Sequence, residues 1–124
     1  AFQLSGDAIS ADRAYRASVL LFAGFDDLEG VAKNRHHLGT LAHGRGDEEE
    51  AEREYLAAKG AFETLGDASG VAKARAQLGT LARDKGDAAT ARREYDAALG
   101  VFESLDDQKN AGAVRRLLEM LDKT

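Results

Sequence analysis

Apolar residues recur along this chain at alternating steps of three and four, the spacing that places side chains on one face of an α-helix. One type of stripe combines small and aromatic residues. Its two clearest copies are Ala51, Tyr55, Ala58, Phe62 and Leu65, and Ala91, Tyr95, Ala98, Phe102 and Leu105. A second type is mainly aliphatic. Its three copies are Val31, Leu38, Leu41 and Ala42; Val71, Ala74, Leu78 and Leu81; and Ala111, Val114, Leu118 and Leu121. The two types alternate along the chain, which predicts a series of amphipathic helices.

Glycine–aspartate steps punctuate these segments and predict where helices stop and restart. Asp47, with Glu50 three residues later, has the form of a capping box, and Gly46 suits a left-handed helix end. The pairs Asp26/Asp27 and Asp106/Asp107 also fall at expected helix starts, where we interpret them as caps rather than as catalytic carboxylates. We therefore expect about six helices of roughly 15 to 19 residues, joined by short turns that make neighbours antiparallel, and no strands.

The whole pattern repeats with a period of 40 residues, without insertion or deletion. Tyr15, Tyr55 and Tyr95 recur at this step, as do Gly6, Gly46 and Gly86, each followed by Asp. A fixed period of this length is typical of stacked repeat arrays. The first predicted helix, from Asp7 to about Phe25, has the same type of stripe as the segment 47–65.

Gly39 and Gly79 lie inside predicted helices, where glycine costs roughly 1 kcal/mol relative to alanine. Their recurrence indicates that a neighbouring helix approaches closely at these positions. Glu119 occupies the same position in the last copy, which we interpret as a terminal helix that receives no further helix.

The repeat resembles the tetratricopeptide repeat in a longer, 40-residue form, over about residues 7–122. The resemblance rests on residues at corresponding positions in successive copies. They are Leu38-Gly39 and Leu78-Gly79 in one helix, and Ala51, Tyr55, Ala58, Ala91, Tyr95 and Ala98 in the next. The chain departs from the family pattern because it has no Trp and no Pro, and because Ala42 and Ala82 replace an aromatic residue.

The resemblance implies an all-α fold in which antiparallel helix hairpins stack as a right-handed superhelical solenoid. We expect a single domain over residues 1–124, with an opening helix and the next helix over 7–45, a second unit over 46–85 and a third over 86–122. It also implies a scaffold that binds peptides or protein segments, and a concave groove lined by the first helix of each pair. The corresponding positions are Lys33, His36, His37, Thr40 and His43; Lys73, Ala76, Gln77, Thr80 and Arg83; and Ala113, Arg116, Met120 and Lys123.

This set contains several cations and no acid, although the formal net charge of the chain is −5. A mildly basic face on an acidic protein suits an acidic peptide or a chain terminus. The alternative is that these residues are ordinary solvated side chains. The overall charge argues against a general nucleic-acid binder, which gains affinity by releasing counterions from a cationic surface.

Other candidate chemistry is weaker. Arg35, Arg75 and Arg115 flank the aliphatic stripes, where we expect each to pair with a nearby carboxylate rather than with a ligand. His36 and His43 are about two helical turns apart, too far for one metal ion. We find no phosphate loop and no Ser–His–acid set, so we expect no enzyme, no metal and no cofactor.

The chain lacks Cys and has no apolar run of the roughly 20 residues that span a bilayer, so we expect a soluble cytoplasmic protein without a membrane partner. It begins with Ala, and its only Met is Met120, which suggests a processed chain or part of a longer one.

Three functions remain open. The leading hypothesis is a protein–protein interaction scaffold within a larger regulator or assembly. The second is a self-association module, in which terminal helices pair with another copy through apolar residues such as Val19, Leu20, Leu21 and Phe25. The third is a small-molecule-sensing domain, which would require a deep pocket with convergent polar groups.

Overall fold

A computed structural model describes residues 27–123, and this part of the chain is α-helical without strands. It contains five helices: α1 (Leu28–Gly44), α2 (Glu48–Leu65), α3 (Ala68–Asp84), α4 (Ala88–Ser104) and α5 (Gln108–Asp122). These bounds confirm the predicted helices over this range to within a residue or two. The predicted opening helix over residues 7–25 lies outside the described residues.

The chain divides into two compact units between Gly66 and Asp67. In the first unit, helices α1 and α2 pack together as a hairpin. In the second unit, α3 packs against α4, and α4 packs against α5. The expectation of a single domain and the right-handed stacking of hairpins stay predictions.

The turns before α2, α4 and α5 each use one Asp for two purposes. The backbone N–H of Asp47 donates to the carbonyl oxygen of Ala42 at 2.9 Å, and Gly46 (φ 83°) donates to His43 at 3.1 Å. This is a Schellman ending, in which glycine takes the left-handed position. The carboxylate of Asp47 then accepts from the backbone N–H of Glu50 at 3.1 Å and caps α2. The recurring Gly-Asp step thus ends one helix and begins the next.

The step before α5 departs from this pattern. Asp107 caps α5 as predicted, accepting from the N–H of Asn110 at 3.1 Å. Asp106, however, does not cap a helix start, and that part of the prediction is wrong. It has φ 57° and occupies the left-handed position that glycine takes before α2 and α4. Aspartate tolerates this conformation better than most residues because its short polar side chain can hydrogen-bond locally.

The cores of the hairpins consist of the predicted small and aromatic residues. Tyr55, Tyr95, Phe102 and Leu38 are among the most deeply buried side chains. Two members of the predicted stripes are exposed instead, Leu65 at 42% and Leu105 at 50%. Leu65 is the last residue of α2 and Leu105 is the residue that follows α4, so the chain turns away there before either side chain can reach the core.

The two predicted close approaches at glycine are present. A Cβ at Gly39 would lie 2.7 Å from the Tyr55 ring, and one at Gly79 would lie 2.8 Å from the Tyr95 ring. Real Cβ atoms do not come this close to carbon, so only glycine leaves room for each tyrosine ring against the preceding helix. The glycine and the tyrosine sixteen residues later therefore form one packing unit, which the repeat preserves.

Candidate functional site

The candidate binding residues of the first unit lie on α1. Lys33, His37 and Thr40 are exposed, and His36 and His43 are half-buried. The His36 ring packs on the Tyr55 ring with centroids 5.3 Å apart, and it meets His37 edge-on at 6.4 Å. The structure thus brings two of the predicted residues, His36 and His37, into contact, and His36 also contacts the buried Tyr55.

The threonines on these faces have a structural contact as well. The Thr40 hydroxyl shares a hydrogen bond with the Tyr55 hydroxyl at 3.1 Å, and Thr80 does so with Tyr95 at 2.8 Å. A buried tyrosine needs a partner for its hydroxyl group. Thr40 and Thr80 therefore fix the tyrosines that pack on Gly39 and Gly79, in addition to any role at the surface.

The candidate residues of the second unit lie on α3 and α5. Lys73 is exposed, while Gln77, Thr80 and Arg83 are half-buried on α3. Arg116 and Met120 are exposed on α5, and Met120 retains 55% of its accessible surface.

The cations on these faces have acidic neighbours that the sequence interpretation did not include. Lys33 pairs with Glu29 at 2.9 Å, and Arg83 pairs with Asp84 at 3.2 Å. Glu29 lies one helical turn before Lys33, a spacing that could have revealed the pair. The faces are therefore less basic than expected. Pairs near the surface such as these contribute only about 0–1 kcal/mol.

Lys73 also faces an acid. The pKa of Asp107 lies below its usual value, first because the side chain and backbone N–H of Asn110 donate hydrogen bonds to it, and further because Lys73 and Lys109 are close. Lys73 thus contributes to the electrostatics of the cap of α5, within the same unit.

The flanking arginines behave as predicted. Arg35 donates to Glu54 at 3.1 and 3.3 Å, and Arg75 donates to Glu94 at 3.3 Å. Glu54 is the buried charged residue of the described chain, at 6% exposure. Both acids lie nineteen residues after their arginine, so the repeat itself carried a signal for these partners. Arg115 pairs instead with Glu103 at 3.0 Å, between two side chains that are about half exposed.

Within residues 27–123, no three His, Cys, Asp or Glu side chains are grouped so that they could hold a metal ion. No helix in this range has both the length and the apolar character of a membrane-spanning segment.

Comparison with known proteins shows similarity at the level of structure. No protein-family model matches the chain, and no curated protein matches it significantly. The crystal structure of BtubC (BKLC) from P. vanneervenii is similar, with a TM-score of 0.68 and 19% sequence identity. The match covers 95% of this chain and 57% of the BtubC chain, so this chain spans little more than half of that protein. At this level of identity the likeness shows the fold, a helical one, and nothing further.

Proposed function

We propose that this chain is a protein–protein interaction scaffold of the tetratricopeptide type, which binds a peptide or protein segment on the exposed faces of α1, α3 and α5. The observation that carries the proposal is that the interior contacts repeat between the two hairpins while the exposed residues differ. The interior contacts of the hairpin α1–α2 recur in α3–α4: glycine on tyrosine, threonine to tyrosine and arginine to glutamate.

The exposed faces differ between the copies. His36, His37 and His43 on α1 correspond to Ala76, Gln77 and Arg83 on α3. A framework that repeats while its surface residues vary is how repeat proteins present different side chains to a partner. Lys33 and Arg83, each of which pairs with an acid near the surface, favour a partner segment that carries carboxylates.

The test uses the full chain labelled with ¹⁵N and two sets of synthetic peptides of equal length, one rich in Asp and Glu and one neutral. We expect the acidic peptides to shift the amide signals of residues on α1 and α3, around Lys33, His37, Lys73 and Arg83. The double variant Lys73→Glu with Arg83→Glu should weaken this binding without unfolding the protein.

A matched control is available in the repeat. Arg53 and Arg93 are exposed on α2 and α4, so Arg53→Glu with Arg93→Glu changes the net charge equally on the other helix type. Equal weakening by both double variants would mean that only net charge matters, and would remove the proposed face. Shifts confined to α2 and α4, or binding of neither peptide set together with tight capture of a metabolite, would overturn the proposed role.

A further inference from the structure

We propose that the exposed face of α5 rejects a further helix of the α2/α4 type, so that no such helix docks on α5 in the way that α2 docks on α1. The argument compares α5 with α1 and α3, its counterparts in the repeat. Each of those helices receives a tyrosine-bearing helix, α2 or α4, through a fixed set of residues.

The receiving set has four members. Arginine pairs with a glutamate of the incoming helix, as Arg35 does with Glu54. Glycine makes room for the tyrosine ring, and threonine binds the tyrosine hydroxyl. A small alanine, Ala42 in α1 and Ala82 in α3, is buried near the helix end.

In α5 three of the four positions have changed, and the arginine is kept. The corresponding residues of α5 are Arg115, Glu119, Met120 and Asp122. Glu119 places a long charged side chain at the position of Gly39 and Gly79. In α1 and α3 even one methyl group at this position would lie within 3 Å of a tyrosine ring. Met120 cannot replace the threonine as a partner for the tyrosine hydroxyl, because a thioether is only a weak acceptor.

The other two positions are already engaged within the second unit. Arg115 pairs with Glu103 of α4, and Asp122 pairs with Arg92 of α4. An incoming helix would have to separate both pairs and would bury Glu119 without the arginine partner that a glutamate has elsewhere in the repeat. Burial of an unpaired carboxylate is strongly unfavourable.

The opposite face of α5 is packed normally, so the changes on its exposed face do not reflect a poorly folded helix. Ala111, Val114 and Leu121 are buried in the core of the second unit, and Leu117 and Leu118 pack against it. The sequence of α5 therefore keeps the contacts that hold it to α4 and has lost those that would hold a following helix.

The test appends a second copy of residues 85–124 directly after Thr124 of the full chain, which keeps the 40-residue register. One version retains the natural α5 at the junction. The other carries Glu119→Gly, Met120→Thr and Asp122→Ala there, which restores the receiving set of α3. Hydrogen exchange then reports whether the appended copy of α4 is protected.

We expect exchange in the appended helix to be at least about tenfold slower in the restored version than in the natural one, a ratio that corresponds to stable docking. A third version with Glu119→Gln alone keeps the bulk of the side chain and removes its charge, so it should remain unprotected. Circular dichroism of the triple variant without the appended segment checks that α5 stays folded.

Equal protection of the appended helix on the natural and restored junctions would overturn the proposal. So would protection on the natural junction that the triple substitution abolishes.

Discussion

The hairpins α1–α2 and α3–α4 share the residues that hold their helices together, but several of these side chains are buried to different depths. Leu38 is 1% exposed, whereas Leu78, its counterpart in α3, is half-buried. The side chain of Glu54 is 8% exposed, and that of Glu94 is 23% exposed. Repeated residues therefore make the same contacts in both hairpins, while the exposure of equivalent side chains differs between them.

The largest effect is expected from truncation of Leu38 and of Leu78, its counterpart in the repeat. Leu38→Ala should lower the free energy of unfolding by about 2–5 kcal/mol, because it removes a fully buried side chain and leaves a cavity. Leu78→Ala should cost about half as much, because part of that side chain already contacts water. Urea unfolding followed by far-UV circular dichroism measures both, and an equal or larger cost at Leu78 would contradict the difference in burial.

Replacement of the glycine that contacts the tyrosine ring should destabilise both hairpins. Gly79→Ala places a methyl group 2.8 Å from the Tyr95 ring and 3.3 Å from the carbonyl oxygen of Ala91. Overpacking costs about 1–3 kcal/mol, offset by up to about 1 kcal/mol of helix propensity, so a net loss of about 1–2 kcal/mol is expected. Gly39→Ala should behave in the same way against Tyr55.

Gly60 supplies the matched control, since it lies within α2 and a Cβ there would meet nothing within 4 Å. Gly60→Ala should stabilise the chain by about 0.5–1 kcal/mol through helix propensity alone. If Gly79→Ala stabilised the chain equally, glycine at position 79 would not be required by the tyrosine ring. Thermal and urea unfolding of the three variants decide between these outcomes.

These contacts also show which features of the fold could be predicted from the sequence. The period of 40 residues, the helix bounds and the need for glycine at 39 and 79 follow from local spacing and from recurrence, both visible in the chain itself. The pairing of Arg35 and Arg75 with carboxylates follows for the same reason. Each of these features is repeated, so one copy supports the interpretation of the other.

Features that occur once were harder to predict. Asp106 resembles its neighbour Asp107, but the 40-residue register aligns it with Gly66, and its backbone angle shows that it takes the left-handed position of that glycine. The exposure of Leu65 and Leu105 depends on where the helix ends turn. The pairing of Arg83 with Asp84 depends on rotamers that spacing does not determine. The handedness of a solenoid is a property of how successive hairpins stack, which the pattern within one hairpin does not specify.

The stability cost of breaking each arginine–glutamate pair should increase with the burial of the pair. Glu54→Gln should cost about 1–2 kcal/mol, because it removes a charge-assisted hydrogen bond whose acceptor is buried while the Arg35 side chain stays about one-third exposed. Glu94→Gln should cost less, and Glu103→Gln should cost less than about 1 kcal/mol because that pair is half exposed. A larger loss at Glu103 than at Glu54, measured by urea unfolding, would break the ranking.

The smallest expected effect concerns the tyrosine hydroxyl of the first hairpin. Burial raises the pKa of Tyr55 above its ordinary value of about 10, and the hydrogen bond with Thr40 opposes this shift to a smaller extent. A group that holds its proton more tightly in the folded state contributes stability below its unfolded pKa and loses it as the pH rises through the folded pKa. Near neutral pH, Tyr55→Phe should cost about 1 kcal/mol, the net value of one hydrogen bond. As the pH rises above about 10, the natural chain should lose stability faster than Tyr55→Phe, so the difference between them should shrink. A difference that grows with alkaline pH would mean that the Tyr55 hydroxyl ionises more readily in the folded chain than in the unfolded one.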